Sequence, residues 1–356
     1  MTPTLELFAE TVKQASESRR ALCIMGGNSK YFYGNPPAME HTRLDVARYQ
    51  GIISYEPSEL VITARAGTLL RELEYELAQR GQMLAFEPPH FSPATTLGGC
   101  VATGLSGPRR AYAGAVRDFI LGSKLLDGQG RMLSFGGQVM KNVAGYDVSR
   151  LMAGAMGTLG ILLEVSLKVL PKPAMERTLC LAMTMEKALE TMRYYATRPL
   201  PVSATCFING QLYIRLSGME AAVAAVQQQL GGEVDDNGAM FWESIRHHTH
   251  PFFHSQPILW RLSVKSTTAP LSLPGKQLIE WGGALRWFAP TEMIAAEQVR
   301  KLATAAGGHA TLFYGDKTET LSFQPLPPAL LQIHQHLKQR FDPAGILNPH
   351  RMYSEF

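Results

Sequence analysis

Cysteine is scarce and scattered in this chain. The four residues Cys23, Cys100, Cys180 and Cys206 lie far apart with no C-x-x-C among them, which excludes an iron–sulfur ligand run and a disulfide scaffold and fits a reducing compartment. Charge of one sign is missing too. Lys and Arg number 34 against 30 Asp and Glu, a formal net charge of +4 spread along the chain; a nucleic-acid binder would gather its basic residues into a face or tail. No long hydrophobic run is present. The nearest approach, residues 151–170, contains Glu164, Lys168 and three glycines, and its second half alternates Ile161, Leu163, Val165, Leu167 and Val169 against Glu164, Ser166 and Lys168. That period of two reads as a strand with one wet face rather than a membrane span. The first twenty residues lack an apolar core followed by a small-residue cleavage site, so no secretory signal is expected and the expected location is cytoplasmic. Neither G-x-G-x-x-G after a strand nor G-x-x-x-x-G-K-[ST] occurs, which removes the Rossmann and P-loop routes to phosphate binding.

A chain of 356 residues with 46% hydrophobic content suits two domains with substantial cores. Residues 5–19 pattern as an amphipathic helix, followed by a short apolar strand, 21–25, running into Gly26-Gly27-Asn28-Ser29. Residues 59–66 alternate as a strand. Leu69, Leu70, Leu73 and Leu77 then recur at helical spacing, with Thr68 placed to cap the start and Gly81 the end. Asp127-Gly128 is a hairpin signal. Pro171-Lys172-Pro173 cannot continue a strand and reads as a linker. Beyond it the order is strand 178–184, helix 186–197, strand 202–208, strand 211–217 and helix 219–230, with Asn209-Gly210 as a two-residue hairpin turn. This order predicts an antiparallel sheet covered by helices on one face. Further strands are expected near 258–264 and 283–288, and helices near 292–306 and 332–340.

Two glycine segments could cradle an anion: Gly26-Gly27-Asn28-Ser29 with Gly34, and Leu97-Gly98-Gly99-Cys100-Val101-Ala102-Thr103. Without Cβ atoms, successive N–H groups can turn toward one anion, and Ser29 or Thr103 adds a hydroxyl. Either loop alone is as well read as a plain turn.

Their company carries more. After them, in order, come Gly114-Ala115-Val116-Arg117-Asp118, Lys141-Asn142-Val143-Ala144-Gly145-Tyr146-Asp147, Gly157-Thr158-Leu159-Gly160-Ile161, and a closing Asp342-Pro343 to Asn348-Pro349. This series resembles the vanillyl-alcohol-oxidase, or PCMH-type, FAD-linked oxidoreductases over nearly the whole chain. Glu87-Pro88-Pro89-His90, Gly107-Pro108-Arg109-Arg110 and Trp281-Gly282-Gly283-Ala284-Leu285-Arg286-Trp287 look more specifically like FAD-binding subunits that serve oxidation of glycolate or a similar small 2-hydroxy acid. The resemblance implies an α+β fold: a two-lobed FAD-binding domain over residues 1–172 (lobes about 1–55 and 56–172), an α+β cap domain with an antiparallel sheet over 173–335, and a C-terminal return segment over 336–356. It implies FAD contacts from Gly26, Gly27, Asn28 and Ser29, from Gly98, Gly99, Ala102 and Thr103, from Gly160 and Ile161, and from Asn348. It also implies partners, a larger FAD-linked subunit and an iron–sulfur subunit, with any membrane contact peripheral and made through the complex.

Three departures from the family pattern bear on chemistry. Ile24 stands where an arginine often precedes the first glycine pair, so phosphate charge must be met elsewhere. Asn28 stands where covalent-flavin relatives have histidine, so FAD is expected to be held without a covalent bond. Gly307-Gly308-His309-Ala310-Thr311 lacks the acidic and second histidine ligands of a metal-binding segment found in many relatives, so no metal site is expected.

The remaining candidates each carry two readings. Arg286 either clamps a substrate carboxylate or stacks on Trp287 as a structural contact; His309 is the other weak catalytic candidate. Arg109 and Arg110 either neutralise FAD phosphates or pair with surface acids. The run from His247 to His254 is a crowded turn or, less simply, a ligand cluster. Phe252, Phe253 and Trp260 are either partner-surface anchors or cap core. Three functions follow from these readings: a subunit that turns over its substrate only in complex, a self-sufficient FAD oxidase, or a flavin-holding assembly scaffold.

Overall fold

The computed structural model describes residues 3–38, 40–137, 146–318 and 320–356. Residues 141–145 of the motif series lie outside them.

The first lobe rests on the helix Pro3–Ser18, whose Leu5, Phe8, Val12 and Ala15 recur at three- and four-residue intervals and are all buried. They cover the strand Leu22–Met25, which pairs in parallel with Thr42–Asp45. The tail joins on the other side of this pair: Leu22 N donates to Ile346 O at 2.7 Å and Asn348 N donates to Leu22 O at 3.0 Å. The second lobe is a five-stranded antiparallel sheet in the order Ile52–Glu56, Val61–Arg65, Ile161–Lys168, Ile120–Leu126, Met132–Gly136. Ile161 and Leu163 pack under the first lobe, while Leu162, Val165 and Leu167 pack with the helices Leu70–Ala78 and Leu97–Thr103. Burial on both faces is why this central strand opens on an unbroken apolar run, Ile161 to Leu163.

Local chemistry differs from expectation in four places. Thr68 caps no helix; the helix Leu70–Ala78 starts after Leu69, and the Thr68 hydroxyl accepts from Gly51 N at 2.8 Å. Asp127-Gly128 is not a two-residue turn. Residues 127–131 join the strands, Asp127 Oδ1 accepts from the N–H groups of Gln129 and Arg131, and Gly130 takes the positive φ. Pro171 is no free linker, since Gln82–Met83 pairs with Leu170–Pro171 and Lys172 N donates to Gly81 O. The second glycine segment is helical: Leu97–Thr103 carries Gly98 and Gly99 in its first turn, capped by the Thr96 hydroxyl accepting from Gly99 N.

In the cap, the pairs form one antiparallel sheet of eight strands: Glu233–Val234, Met175–Ala182, Gln211–Gly218, Val202–Ile208, Gly275–Glu280, Leu285–Pro290, Leu259–Ser263 and His309–Tyr314. Asn209 and Gly210 both take positive φ, 49° and 76°, as a hairpin twisted to match its strands requires. The helices Met185–Ala196, Glu220–Leu230 and Ala296–Ala305 pack on one face. The other face, with Leu259, Leu278, Leu285, Trp287 and Phe313, packs with Tyr33, Leu105 and Met156 of the first domain. Phe252, Phe253 and Trp260 are buried cap core, which withdraws them as partner anchors. Among the described residues no helix is long and apolar enough to cross a membrane.

Candidate functional site

Between the two lobes runs a cleft lined by Gly26, Gly27, Asn28 and Ser29 on one side and Gly98, Gly99, Ala102 and Thr103 on the other. Gly26, Gly27 and Gly98 are there because nothing larger fits. A Cβ on Gly27 would lie 1.4 Å from Ala94 O, one on Gly26 2.5 Å from Thr96 Oγ1, and one on Gly98 2.8 Å from the Ala66 Cβ. The two segments therefore press backbone against neighbouring chain. Asn28 takes φ 55°, a left-handed conformation that asparagine tolerates. Among the described residues, the N–H groups of Gly26, Gly27, Asn28 and Ser29 meet no acceptor within the protein. Four successive unspent donors beside a cleft form a nest for an anion, and a pyrophosphate supplies the oxygens they lack.

The positive charge missing at Ile24 comes from elsewhere. Arg351 lines the cleft, its guanidinium held by the carbonyls of Asn35 and Tyr31. Lys30 lines it as well; its ammonium is buried without a hydrogen-bond acceptor, and burial pushes its pKa down to about 8. Neither residue stood out in the sequence, because each is an ordinary basic residue until the fold sets it beside the glycines.

Gly160 and Asn348 also line the cleft. The Asn348 amide is already bonded at both its oxygen and its nitrogen, however. Its Oδ1 accepts from Ile24 N at 2.7 Å and its Nδ2 donates to Met156 O at 2.7 Å. Asn348 therefore braces the wall of the cleft. Ile161 is not a lining residue: its side chain is fully buried in the core beneath the first lobe.

The catalytic candidates fare differently. Arg286 is fully buried and donates to the carbonyls of Gly283, Ala269 and Thr268 at 2.9, 3.1 and 2.6 Å. It clamps no substrate, and the aromatic contact expected of it belongs to Arg261, whose Cζ lies 5.9 Å from the Trp287 ring centre. His309 opens the last strand of the cap sheet, opposite Ser263, and lines neither the cleft nor its neighbouring cavity. Arg109 meets Glu87 at 3.2 Å and also Glu176, while Arg215 Nη2 meets Glu87 at 2.8 Å. This buried network joins cap to FAD lobe and takes Arg109 away from phosphate duty. The histidines are structural as well. His248 lies in an aromatic cluster, stacked 4.2 Å from Phe253, and His247 accepts from His90 N. Among the described residues no group of three His, Cys, Asp or Glu is placed to hold a metal.

A nest-lined cleft between two small lobes, covered by an antiparallel cap and braced by a returning tail, is the PCMH-type architecture of FAD-binding oxidoreductases. The profile of the family described as FAD binding domain matches residues 4–136. Glycolate oxidase subunit GlcE of Escherichia coli (strain K12) is 47% identical over 351 residues, 98% of this chain and 97% of that protein. Glycolate oxidase subunit GlcD of Bacillus subtilis (strain 168) is 30% identical over 166 residues, 46% of this chain and 35% of that one. The solved structure of an alkyldihydroxyacetonephosphate synthase superposes with a TM-score of 0.64 at 17% identity, covering 97% of this chain and 74% of that chain, which shows the shared fold. The chain belongs to the GlcE family of FAD-binding oxidoreductase subunits, and FAD is its cofactor.

Proposed function

We propose that this chain is the FAD-carrying subunit of a glycolate-oxidising assembly and that it acts with partner subunits. The observation that carries the reading is the row of unspent N–H donors from Gly26 to Ser29, facing Gly98 and Gly99 across the cleft. Likeness to GlcE over nearly the whole chain supports the same reading. When bound, FAD supplies two-electron acceptance from the alcohol carbon of a small 2-hydroxy acid, leaving the 2-oxo acid. The residues of this chain do the holding. Gly26 to Ser29 present donors to the pyrophosphate, Gly98, Gly99, Ala102 and Thr103 face it, Arg351 and Lys30 offset its charge, and Gly160 borders the remaining length. Asn28 puts no nucleophile beside the flavin, which supports non-covalent attachment.

Onward transfer calls for partners, a larger FAD-linked subunit and an iron–sulfur subunit. Three of the four cysteines are buried and no two stand together as cluster ligands, which supports a relay carried by another chain. Any membrane contact is then peripheral and made through that complex. The test is purification of this chain alone and with its partners. The lone chain should be yellow and release FAD on acid precipitation, and glycolate-dependent dye reduction should need the assembly. A colourless protein that FAD cannot reconstitute would sink the cofactor assignment. Full-rate turnover by the lone chain would promote the self-sufficient oxidase, and a loaded chain indifferent to glycolate even in the assembly would promote the scaffold.

A further inference from the structure

A second cavity, of about 190 Å³, adjoins the cleft and shares Thr103 with it. It lies between the two domains, walled by Gly104, Gly154 and Arg110 from the FAD side and by Arg261 and Phe323 from the cap side. Arg110, Arg117 and Arg261 all line it, and among the described residues no carboxylate does. Arg110 and Arg261 are half-buried and, among the described residues, neither makes an ion pair. Burial lowers the pKa of Arg110, and the nearby charge of Arg261 lowers it further.

What holds the two cations together is Trp281. The Cζ of Arg110 lies 4.3 Å from its ring centre and that of Arg261 5.2 Å. The Trp281 indole N–H donates to Gly107 O at 3.0 Å, tying the cap to the turn that precedes Arg110. Trp281 itself takes φ 54°, a left-handed conformation that a bulky residue adopts only at a cost. Strain of this kind persists where the surroundings enforce it, and it gathers at ligand-holding positions. Among the described residues two acids lie within electrostatic reach, Glu280 of Arg261 and Asp118 of Arg110, and both are engaged. Glu280 accepts from Trp287 Nε1 at 2.8 Å, and Asp118 accepts from Ala115 N at 2.8 Å with Arg150 at 4.0 Å. Two like charges held on one aromatic ring beside a small cavity repel unless an anion joins them, and a planar guanidinium matches a carboxylate with two hydrogen bonds.

We propose that Arg110 and Arg261, steadied on Trp281, bind the carboxylate of the 2-hydroxy acid in this cavity. The inference rests on the proposed glycolate-oxidising role and gives this chain its own substrate subsite, one residue away in register from the arginine that the sequence suggested.

The experiment uses the FAD-loaded chain and oxalate, a small dicarboxylate with no alcohol to oxidise. Binding is read from the perturbation of the flavin absorption bands. Arg110→Gln and Arg261→Gln should each weaken oxalate binding by about tenfold or more, the range of a charge-assisted hydrogen bond. FAD content and thermal midpoint should stay as in the wild type. Arg261→Lys should fall between, since it keeps charge but loses the fork, and it guards against simple misfolding. Glycolamide, the uncharged counterpart of glycolate, should bind wild type and variants alike. Variants that keep FAD and bind oxalate within twofold of wild type overturn the proposal. So does loss of FAD from Arg110→Gln or Arg261→Lys, which would assign the arginines to the cofactor. If the loaded wild-type chain responds neither to oxalate nor to glycolate, alone or in the assembly, the glycolate-oxidising reading itself fails, a result distinct from both.

Discussion

Arg261 and Arg286 are near neighbours on adjoining strands, with Arg286 registered against Leu262 and Arg261 against Trp287, yet they face opposite sides of the cap sheet. The pleat sends residues 285, 287 and 289 toward the FAD domain and 286 and 288 toward the covering helices. Arg286→Lys is therefore expected to destabilise the cap by roughly 2–4 kcal/mol, because one ammonium cannot serve three buried carbonyls. The KM for glycolate in the assembled complex should not change. Denaturant titration and steady-state kinetics check both halves, and a raised KM at unaltered stability would restore Arg286 to the substrate.

The glycine cradle predicts two different failures. Gly27→Ala sets a methyl against Ala94 O and must push the loops apart, so the variant should purify without FAD and melt earlier. Gly99 has more room, its nearest neighbour being Thr96 Oγ1 at 3.2 Å. Gly99→Ala should keep its flavin, whereas Gly99→Glu should lose it by placing a negative charge in the cleft. FAD released per chain by acid precipitation distinguishes the three. Equal retention in all would remove this cleft as the pyrophosphate site.

Asn348→Leu keeps the bulk and removes both bonds of the amide, leaving Ile24 N and Met156 O unpaired. Each such group costs about 1–3 kcal/mol, so the loss should be roughly 3 kcal/mol, with weaker FAD retention. If stability holds and only FAD is lost, Asn348 contacts the cofactor directly and its bracing role is secondary.

Glu280 gives a pH signature. It is fully buried, and burial raises its pKa to about 7, against the 4.5 of a free glutamate, with the Trp287 indole N–H and Arg261 pulling weakly the other way. Between those values the folded protein holds a proton that the unfolded chain has released, so stability is lost as pH rises through this window. Glu280→Gln should flatten that slope and gain up to roughly 3 kcal/mol at pH 8, shrinking to nothing near pH 4. His248 works from the acid side: burial and nearby Arg261 drive its pKa down to about 3, so its neutral-state stability is lost as pH falls below about 6.5. Melting temperatures across pH 4–9 for wild type and Glu280→Gln provide the check, and parallel curves would contradict the assignment.

Much of this molecule was legible in its sequence where local chemistry decides the outcome. The hairpin at Asn209-Gly210 and the strands Val202–Ile208 and Gln211–Gly218 that it joins fall where its turn residues put them. The glycine segments and Asn348 line one cleft, as their order suggested. What escaped depends on partners distant in sequence. Thr68 looks like a cap until Gly51 claims its hydroxyl. Arg286 and Arg261 carry the same charge, and only strand register separates the buried one from the one facing the cavity. The strand His309–Tyr314 went unread because Ala310 to Phe313 are buried in succession, and burial on both faces erases alternation.

The brace between Asn348 and Ile24 spans 324 positions in the chain. At a synthesis rate of about 5–20 residues per second, the ribosome needs on the order of half a minute to deliver the second partner after the first. Through that interval Gly26 to Ser29 exist without Asn348 and Arg351, which line the finished cleft with them. Flavin loading is accordingly a late event in the life of the polypeptide.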